Sequence, residues 1–226
     1  MKRIILALVL SVSAISSHAA SISFTGAELL SNPNVSFPTT VPTLNGSSIV
    51  FGPDSQSHGK LLVLPILAAG TGSTSVTVSI NLTRLACTTP CAGTSEDHDP
   101  LVALGDGSTL IGGQFSDNGQ VFADVLTDTG NQGNRTAHDA FSPFSQPSIG
   151  QSFDVEIIFD LAGSTTLTAE GNSYVVPSAS LDTSQAIEFV FMRNNDAGEQ
   201  YQINTLSISG ADIAPVPIPT AGNRSG

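Results

Sequence analysis

Apolar and polar side chains alternate with a period of two in several stretches of this 226-residue chain. In residues 76–82, valine, isoleucine and leucine take every second position, and threonine, serine and asparagine fill the positions between them. The same alternation returns in residues 155–161 and 187–191. Because successive side chains of a β-strand point to opposite faces of its sheet, each stretch predicts a strand with one buried face. No stretch beyond residue 20 has a comparable helical period, so the pattern indicates a fold built from β-sheets.

Pairs of residues that favour tight turns separate the alternating stretches. They are Asn45-Gly46, Asp106-Gly107, Asn118-Gly119 and Gly171-Asn172. Between them we expect further short strands at 21–25, 47–52, 60–67, 100–105, 109–116, 120–126, 164–170 and 173–177. About a dozen short strands joined by polar turns predict an all-β domain, a two-sheet antiparallel β-sandwich of jelly-roll type.

Two stretches depart from the simple alternation. The apolar parity changes between Ile203 and Leu206, which predicts a β-bulge or a break in that strand. Residues 127–150 are polar, contain glycine and proline, and predict a long loop that is either functional or disordered. Phe141 and Phe144 within this stretch indicate that the loop packs against the domain at one point.

The first twenty residues have the layout of a secretory signal peptide. Lys2 and Arg3 precede an apolar segment at 4–12, and Ser17-His18-Ala19 ends in a small residue suited to cleavage. The segment is too short to cross a bilayer, so we expect export from the cytoplasm. The expected organisation is a signal peptide at 1–20, one jelly-roll domain at 21–212 and a proline-rich tail at 213–226.

The chain has a net charge of −12, and Lys60 is its only lysine beyond the signal peptide. So acidic a surface repels nucleic-acid phosphates and anionic membranes, which argues against nucleic acid as a partner. The charge suits the binding of divalent cations or of neutral glycans. It equally suits a domain whose charge serves solubility alone.

Cys87 and Cys91 are the only two cysteines of the chain. In an exported protein such a pair predicts a disulfide, here one that pins the end of a strand; free thiols are the alternative. Because the closed loop is very short, the disulfide would stabilise the fold by about 2 kcal/mol or less.

Residues 95–119 hold the densest group of acidic side chains. Calcium takes six to eight oxygen ligands, and loops at strand ends can supply them, although the spacing here is not that of an EF-hand. A solvated acidic loop is the alternative. Asp106 is expected to stabilise the Asp106-Gly107 turn. The predicted metal ligands are Asp97, Asp99, Asp117 and Asn118.

A second polar group follows the predicted strand at 187–191. It is either a hairpin loop or a ligand site at one end of the sandwich, where Arg193 would pair with an acidic neighbour or hold a sugar hydroxyl. The predicted ligand-binding residues are Arg193, Asn194, Asn195, Asp196 and Glu199.

No residue is assigned a catalytic role, because the sequence contains neither G-x-S-x-G nor H-E-x-x-H. A glycoside hydrolase would need two carboxylates about 5–9.5 Å apart. Glu156 with Asp160, or Glu188 with a cross-strand partner, are the candidates, and we expect them to point outward from their strands. Three histidines beyond the signal peptide are interpreted as surface residues: His58, His98 and His138.

The tail segment at 216–221, VPIPTA, resembles the Val-Pro-Glu-Pro box of bacterial PEP-CTERM proteins. In that family the box precedes a membrane helix and a basic end, exosortase-type enzymes process the chain, and the proteins are associated with exopolysaccharide and biofilm. Here only GNRSG follows, so this chain departs from the family pattern. Either it is truncated or frame-altered and has lost a cell-surface anchor, or it is secreted and released from the cell. Residues 21–212, with the stretch 99–107, resemble concanavalin-like and laminin-G-like jelly rolls.

Together these observations predict a secreted recognition or matrix domain without enzymatic activity. The expected partner is a glycan or exopolysaccharide, bound either with or without the help of calcium. With no tryptophan and two tyrosines, the sequence favours hydrogen bonding over stacking as the mode of sugar binding. A polysaccharide-cleaving hydrolase or lyase on the same fold, and a structural surface protein without a small ligand, are the alternatives.

Overall fold

The computed structural model describes residues 20–52, 59–70, 75–86, 100–116, 119–145, 148–177, 179–193 and 200–210. These ranges contain fourteen strands and one short helix. The strands are β1 (Ala20–Thr25), β2 (Thr43–Asn45), β3 (Ser48–Phe51), β4 (Lys60–Leu67), β5 (Ser75–Ala86), β6 (Pro100–Gly105), β7 (Thr109–Phe115), β8 (Gln120–Asp128), β9 (Gly133–Pro143), β10 (Ser152–Asp160), β11 (Thr166–Ala169), β12 (Asn172–Val175), β13 (Ile187–Arg193) and β14 (Gln200–Gly210); the helix is α1 (Gly26–Ser31).

The strands form two antiparallel sheets. The eight-stranded sheet has the order β12-β11-β10-β5-β14-β3-β2, and β1 also pairs with β14. The six-stranded sheet has the order β4-β13-β6-β7-β8-β9. The two sheets pack face to face, so the fold is the two-sheet jelly-roll sandwich that the alternation predicts.

The main core lies between the inner faces of the two sheets. Val78, Ile80 and Ile157 from the eight-stranded sheet belong to the same buried cluster as Phe189 and Phe191 from the six-stranded sheet. Aromatic rings extend this cluster to the end of the sandwich where β9 finishes. There the ring of Phe144 packs edge-on against Phe115, with the ring centres 5.2 Å apart.

The parity change near the C-terminal end of the domain is a β-bulge, as predicted. In the pairing of β14 with β5 the register shifts between Ile203 and Thr205. Ile203 and Leu206 can therefore both face the core despite their odd spacing, and both are fully buried.

The prediction of a long loop at 127–150 is wrong. Residues 133–143 form β9, which joins β8 in a hairpin with two register shifts. The shifts explain the missing alternation, because an extra residue at each bulge changes which face the next side chains point to. The packing expected of the two phenylalanines is confirmed, since Phe144 is buried and Phe141 packs against Tyr174.

Candidate functional site

The face of the six-stranded sheet that points away from the main core is itself buried. Alternation places Leu110 and Leu126 on this outward face, while Ile111 and Val125 point into the main core. The outward apolar side chains form a second buried cluster with at most 7% exposure: Val63, Leu101, Ala103, Leu110, Leu126, Val190 and Met192.

Two diagonally opposite corners of the six-stranded sheet meet at the tip of the β8–β9 hairpin. Gly59, just before edge strand β4, forms a bridge with Gln132, just before edge strand β9. The Lys60 backbone N–H donates to the carbonyl oxygen of Asn131 at 2.9 Å. The Lys60 ammonium also pairs with the Asp128 carboxylate at 2.5 Å, and both side chains are about 95% buried. These contacts curl the sheet over its outward face, which we call the curled face.

A group of polar side chains lies on the curled face, centred on Asp124 of β8. Asp124 is fully buried, and its Oδ1 accepts a hydrogen bond from Nδ1 of His138 at 2.5 Å. Its Oδ2 accepts from Nη2 of Arg135 at 3.3 Å. The same Nη2 donates to Oε1 of Gln114, also fully buried, at 2.8 Å.

An aromatic ring packs against this group. The ring of Phe122 stacks on the imidazole of His138, with ring centres 4.1 Å apart and planes 5° from parallel. Together, Gln114, Phe122, Asp124, Arg135 and His138 form what we call the Asp124 cluster. Register explains the assembly: Asp124 lies directly opposite His138 on β9, and Phe122 directly opposite Gln114 on β7.

The Asp124 cluster combines a fixed interior with a partly open rim. The side chains of Arg135 and His138 are 20% and 17% exposed, whereas Asp124 and Gln114 beneath them are fully buried. The buried acceptors hold the guanidinium and the imidazole in one orientation before any ligand arrives. The two side chains are thereby fixed at a small cost in side-chain entropy, and Nε of Arg135 and Nε2 of His138 are themselves buried.

The structure places Arg193, the first of the predicted ligand-binding residues, at the end of β13 with its side chain fully buried. Its backbone N–H donates to the carbonyl oxygen of Gly59, beside the corner where the sheet closes. The other predicted site residues lie outside the described part of the chain: Asn194, Asn195, Asp196 and Glu199 of the ligand group, Asp97, Asp99, Asp117 and Asn118 of the metal group, and Cys87 and Cys91 of the disulfide.

Within the described ranges, no group of three or more His, Cys, Asp or Glu side chains is arranged to hold a metal ion. The calcium site predicted from residues 95–119 therefore stays a prediction.

Asp106 has the turn-stabilising role expected of it. Its Oδ1 accepts hydrogen bonds from the backbone N–H groups of Ser108 and Thr109 and from the Ser108 hydroxyl, at 2.8–2.9 Å. Its Oδ2 accepts from the backbone N–H of Asp182 at 2.9 Å, which ties the β6–β7 turn to a second loop. Burial raises the pKa of this carboxyl, but the hydrogen bonds outweigh burial, and the pKa of Asp106 lies below its ordinary value.

The candidate carboxylates of a hydrolase lie on the outward side of their strands. Glu156 is exposed and its Oε2 accepts from the Ser79 hydroxyl at 3.0 Å. Asp160 is exposed and accepts from the backbone N–H of Ala162. Both carboxylates accept hydrogen bonds from neighbouring residues. They lie on the surface of the eight-stranded sheet, as the alternation of β10 predicts.

Sequence reasoning missed the Asp124 cluster. His138 was interpreted as a surface histidine, and Arg135 lay in the stretch expected to be a loop. One signal was available: Asp124 is the only charged residue in the apolar run 121–126. A carboxylate is rarely buried without a partner, so its position in such a run indicates a paired side chain on a neighbouring strand.

No known protein family and no curated protein matches the sequence. Solved structures with a similar chain fold include peanut lectin, with a TM-score of 0.49 and 12% identity over 88% of this chain and 99% of that one. Lectin I from Ulex europaeus, in complex with the methyl glycoside of α-L-fucose, has a TM-score of 0.49 and 12% identity over 85% and 98%. The Emp46p carbohydrate recognition domain has a TM-score of 0.49 and 10% identity over 77% and 87%. At these identities the likeness concerns the fold alone, and no site residue or ligand is carried over.

Proposed function

We propose that this protein is a secreted recognition domain that binds a glycan or exopolysaccharide through the Asp124 cluster. The observation that carries the proposal is the polar group of Arg135 and His138 held on one buried carboxylate, with 20% and 17% of the two side chains exposed on the curled face. Sugar hydroxyls donate and accept hydrogen bonds at fixed spacings, so a rigid set of planar donors and acceptors suits them.

The charge of the cluster supports the same ligand class. One carboxylate faces one guanidinium and one imidazole, so the cluster is neutral or carries one positive charge within a chain of net charge −12. A local site of this kind accepts a neutral or weakly acidic polysaccharide that the rest of the surface would not attract.

Calcium assistance and the sorting role of the tail are further parts of this proposal. Calcium would bind the acidic residues of the 95–119 stretch at a strand end, as its oxygen-rich composition favours. The signal-like first twenty residues and the VPIPTA segment support export and a place in an extracellular matrix. Within the described ranges, no helix has the length and apolar character needed to cross a bilayer.

A glycan array probed with the exported chain tests the proposal, with and without EDTA. We expect binding to a polysaccharide, and a loss of about tenfold or more in affinity for Arg135→Gln, because a hydrogen bond to a charged group contributes about 1.5–3 kcal/mol. Glu156→Gln, on the opposite side of the sandwich, is the matched control and should bind as the wild type does. Absence of binding in both conditions, or equal binding by Arg135→Gln, would refute the proposed site.

An enzyme acting on polysaccharide is the second candidate, favoured by one contact. The Asp124 carboxylate accepts from Nδ1 of His138 and so orients the imidazole, as in enzymes whose histidine is a general base. Nε2 of His138 is buried, so it would have to become accessible before it could take a proton from a substrate. Incubation with the polysaccharides of the array would then release new reducing ends or unsaturated products. If His138→Gln abolished product release while binding persisted, the enzyme would replace the binding domain as our conclusion.

A further inference from the structure

A cavity, which we call the end cavity, lies at the end of the sandwich where β9 finishes, β10 begins and the β11–β12 hairpin turns. Its volume is about 390 Å³, within the range of small-molecule sites. Among the residues that the structure describes, six line it: Pro143, Phe144, Ser145, Phe153, Asp154 and Glu170. None of them belongs to the Asp124 cluster.

The apolar side of this end cavity is made by two phenylalanines. Phe144 and Phe153 are 8% and 9% exposed, and their ring centres lie 6.2 Å apart. Phe115 packs edge-on behind Phe144 and holds it in place. The rings offer a small apolar and π-electron surface to a ligand, and they offer no oxygen ligands to a bare metal ion.

The polar side of the end cavity is negative. Among its six lining residues, Asp154 and Glu170 carry carboxylates and none carries a positive charge. Asn81 donates from Nδ2 to Oδ1 of Asp154 at 2.7 Å, which fixes that carboxylate on β10. With the chain at a net charge of −12, the cavity favours a cation.

Backbone contacts hold the walls of the end cavity together. The Phe144 N–H donates to the carbonyl oxygen of Gly119 at 2.8 Å. The Ser142 hydroxyl donates to the carbonyl oxygen of Ala169, and Asn172 donates from Nδ2 to the same hydroxyl, both at 3.1 Å. The end of β9 is therefore tied to the β11–β12 hairpin, and the cavity is formed before a ligand binds.

Glu170 occupies a backbone position that does not suit glutamate. It has a φ of 50°, the only positive φ among the non-glycine residues described, and Gly171 after it has a φ of 77°. Two-residue hairpin turns of this kind favour asparagine, aspartate or glycine at the first position. A glutamate there strains the backbone, and Glu170 is one of the residues that line the cavity.

We propose that the end cavity binds a protonated amine carried on a ring with an apolar face, such as an amino-sugar residue. Asp154 and Glu170 pair with the ammonium group, and the ring packs on Phe144 and Phe153. This is a second site with its own ligand class, separate from the glycan site proposed on the curled face.

Isothermal titration with D-glucosamine, D-glucose and cyclohexylamine at neutral pH tests the proposal. We expect millimolar binding of glucosamine, with a Kd near 1 mM, and at least tenfold weaker binding of glucose, which has the ring but no ammonium. Binding of cyclohexylamine as tight as that of glucosamine would identify a general organic-amine site. Equal binding of glucose and glucosamine, or no binding of either amine at 10 mM, would overturn the proposal.

The variant Glu170→Asn separates a role in binding from a role in folding. Asparagine tolerates a positive φ, so the melting temperature should stay the same or rise, while amine affinity falls about fivefold or more. Glu156→Gln, two residues from Asp154 on the same strand, is the matched control and should leave affinity unchanged. Unchanged amine affinity in Glu170→Asn refutes this cavity as the site. Glycan binding by Arg135→Gln does not depend on the end cavity, so either proposal can be refuted while the other stands.

Discussion

On the eight-stranded sheet, the side chains that point away from the core are polar and mostly half-buried or exposed, whereas on the six-stranded sheet most of them are buried. Across the first face, hydroxyl groups pair between strands, as in Ser23 with Ser207 and Thr168 with Ser173, both at 2.7 Å. The curled face carries a buried aliphatic cluster together with the fully buried Asp124. Water can satisfy the first set if a partner is lost, but it has little access to the second.

The contrast comes from sheet closure and not from strand type. Both sheets are antiparallel and both obey the two-residue alternation. In the described part of the chain, the six-stranded sheet alone has joined corners, through the Lys60–Asp128 pair and the Gly59–Gln132 bridge. A carboxylate on the curled face must therefore be paired, while one on the exposed face can remain in water. Removing carboxylates one at a time from the two faces measures this difference.

The largest effect is expected for Asp124→Ala. The substitution leaves the Arg135 guanidinium without its carboxylate and removes the acceptor for His138, so the free energy of unfolding should fall by about 3–5 kcal/mol. Urea denaturation followed by circular dichroism gives the change. Glu156→Ala on the exposed face is the control, with an expected loss below about 1 kcal/mol. Equal losses for the two variants would show that the curled face is as accessible to water as the other.

A smaller effect is expected for Asp128→Asn at the joined corners. Asparagine keeps the acceptor for the Gly130 backbone N–H but removes the charge that faces the Lys60 ammonium. The free energy of unfolding should fall by about 2 kcal/mol, and hydrogen exchange at the Lys60 amide should accelerate because the corner opens more often. If the free energy of unfolding fell while hydrogen exchange at the Lys60 amide stayed unchanged, the ion pair would stabilise the fold without holding the two corners together.

The sequence predicts well the positions of those strands whose two faces differ in polarity. Most predicted strands agree with the structure within about two residues, and 60–67 and 100–105 match β4 and β6 at both ends. Short capped elements were missed, although α1 carries a readable signal: Thr25 and Glu28 form a capping box. The hydrogen bonds of the box hold the pKa of Glu28 below its ordinary value, the backbone bond from Thr25 being the largest cause.

The candidate site could not be predicted from local pattern because its geometry depends on register. β9 lacks alternation, and it is recognisable as a strand only through its pairing with β8. The approach of His138 to Asp124 needs that pairing and the register shift between Val125 and Leu126. Sequence spacing fixes neither the shifts nor the closure of the sheet, since both depend on contacts between distant parts of the chain.

The smallest effect is expected for Asp106→Asn, at an exposed turn of the same six-stranded sheet. The amide cannot accept from both partners at once: one side of it carries Nδ2, which faces the backbone N–H of Asp182. At neutral pH the free energy of unfolding should fall by about 1–2 kcal/mol. Because the fold lowers the pKa of Asp106, its stabilising contribution is complete above the ordinary value of 3.8 and is lost as pH falls through the lower pKa of the folded state. Denaturation curves at a series of pH values should show the gap between wild type and variant narrowing below pH 3.8. If the difference in the free energy of unfolding between wild type and variant stayed constant down to pH 2, the carboxylate charge at this turn would contribute nothing to stability. The hydrogen bonds would then connect the β6–β7 turn to the Asp182 loop without help from the charge.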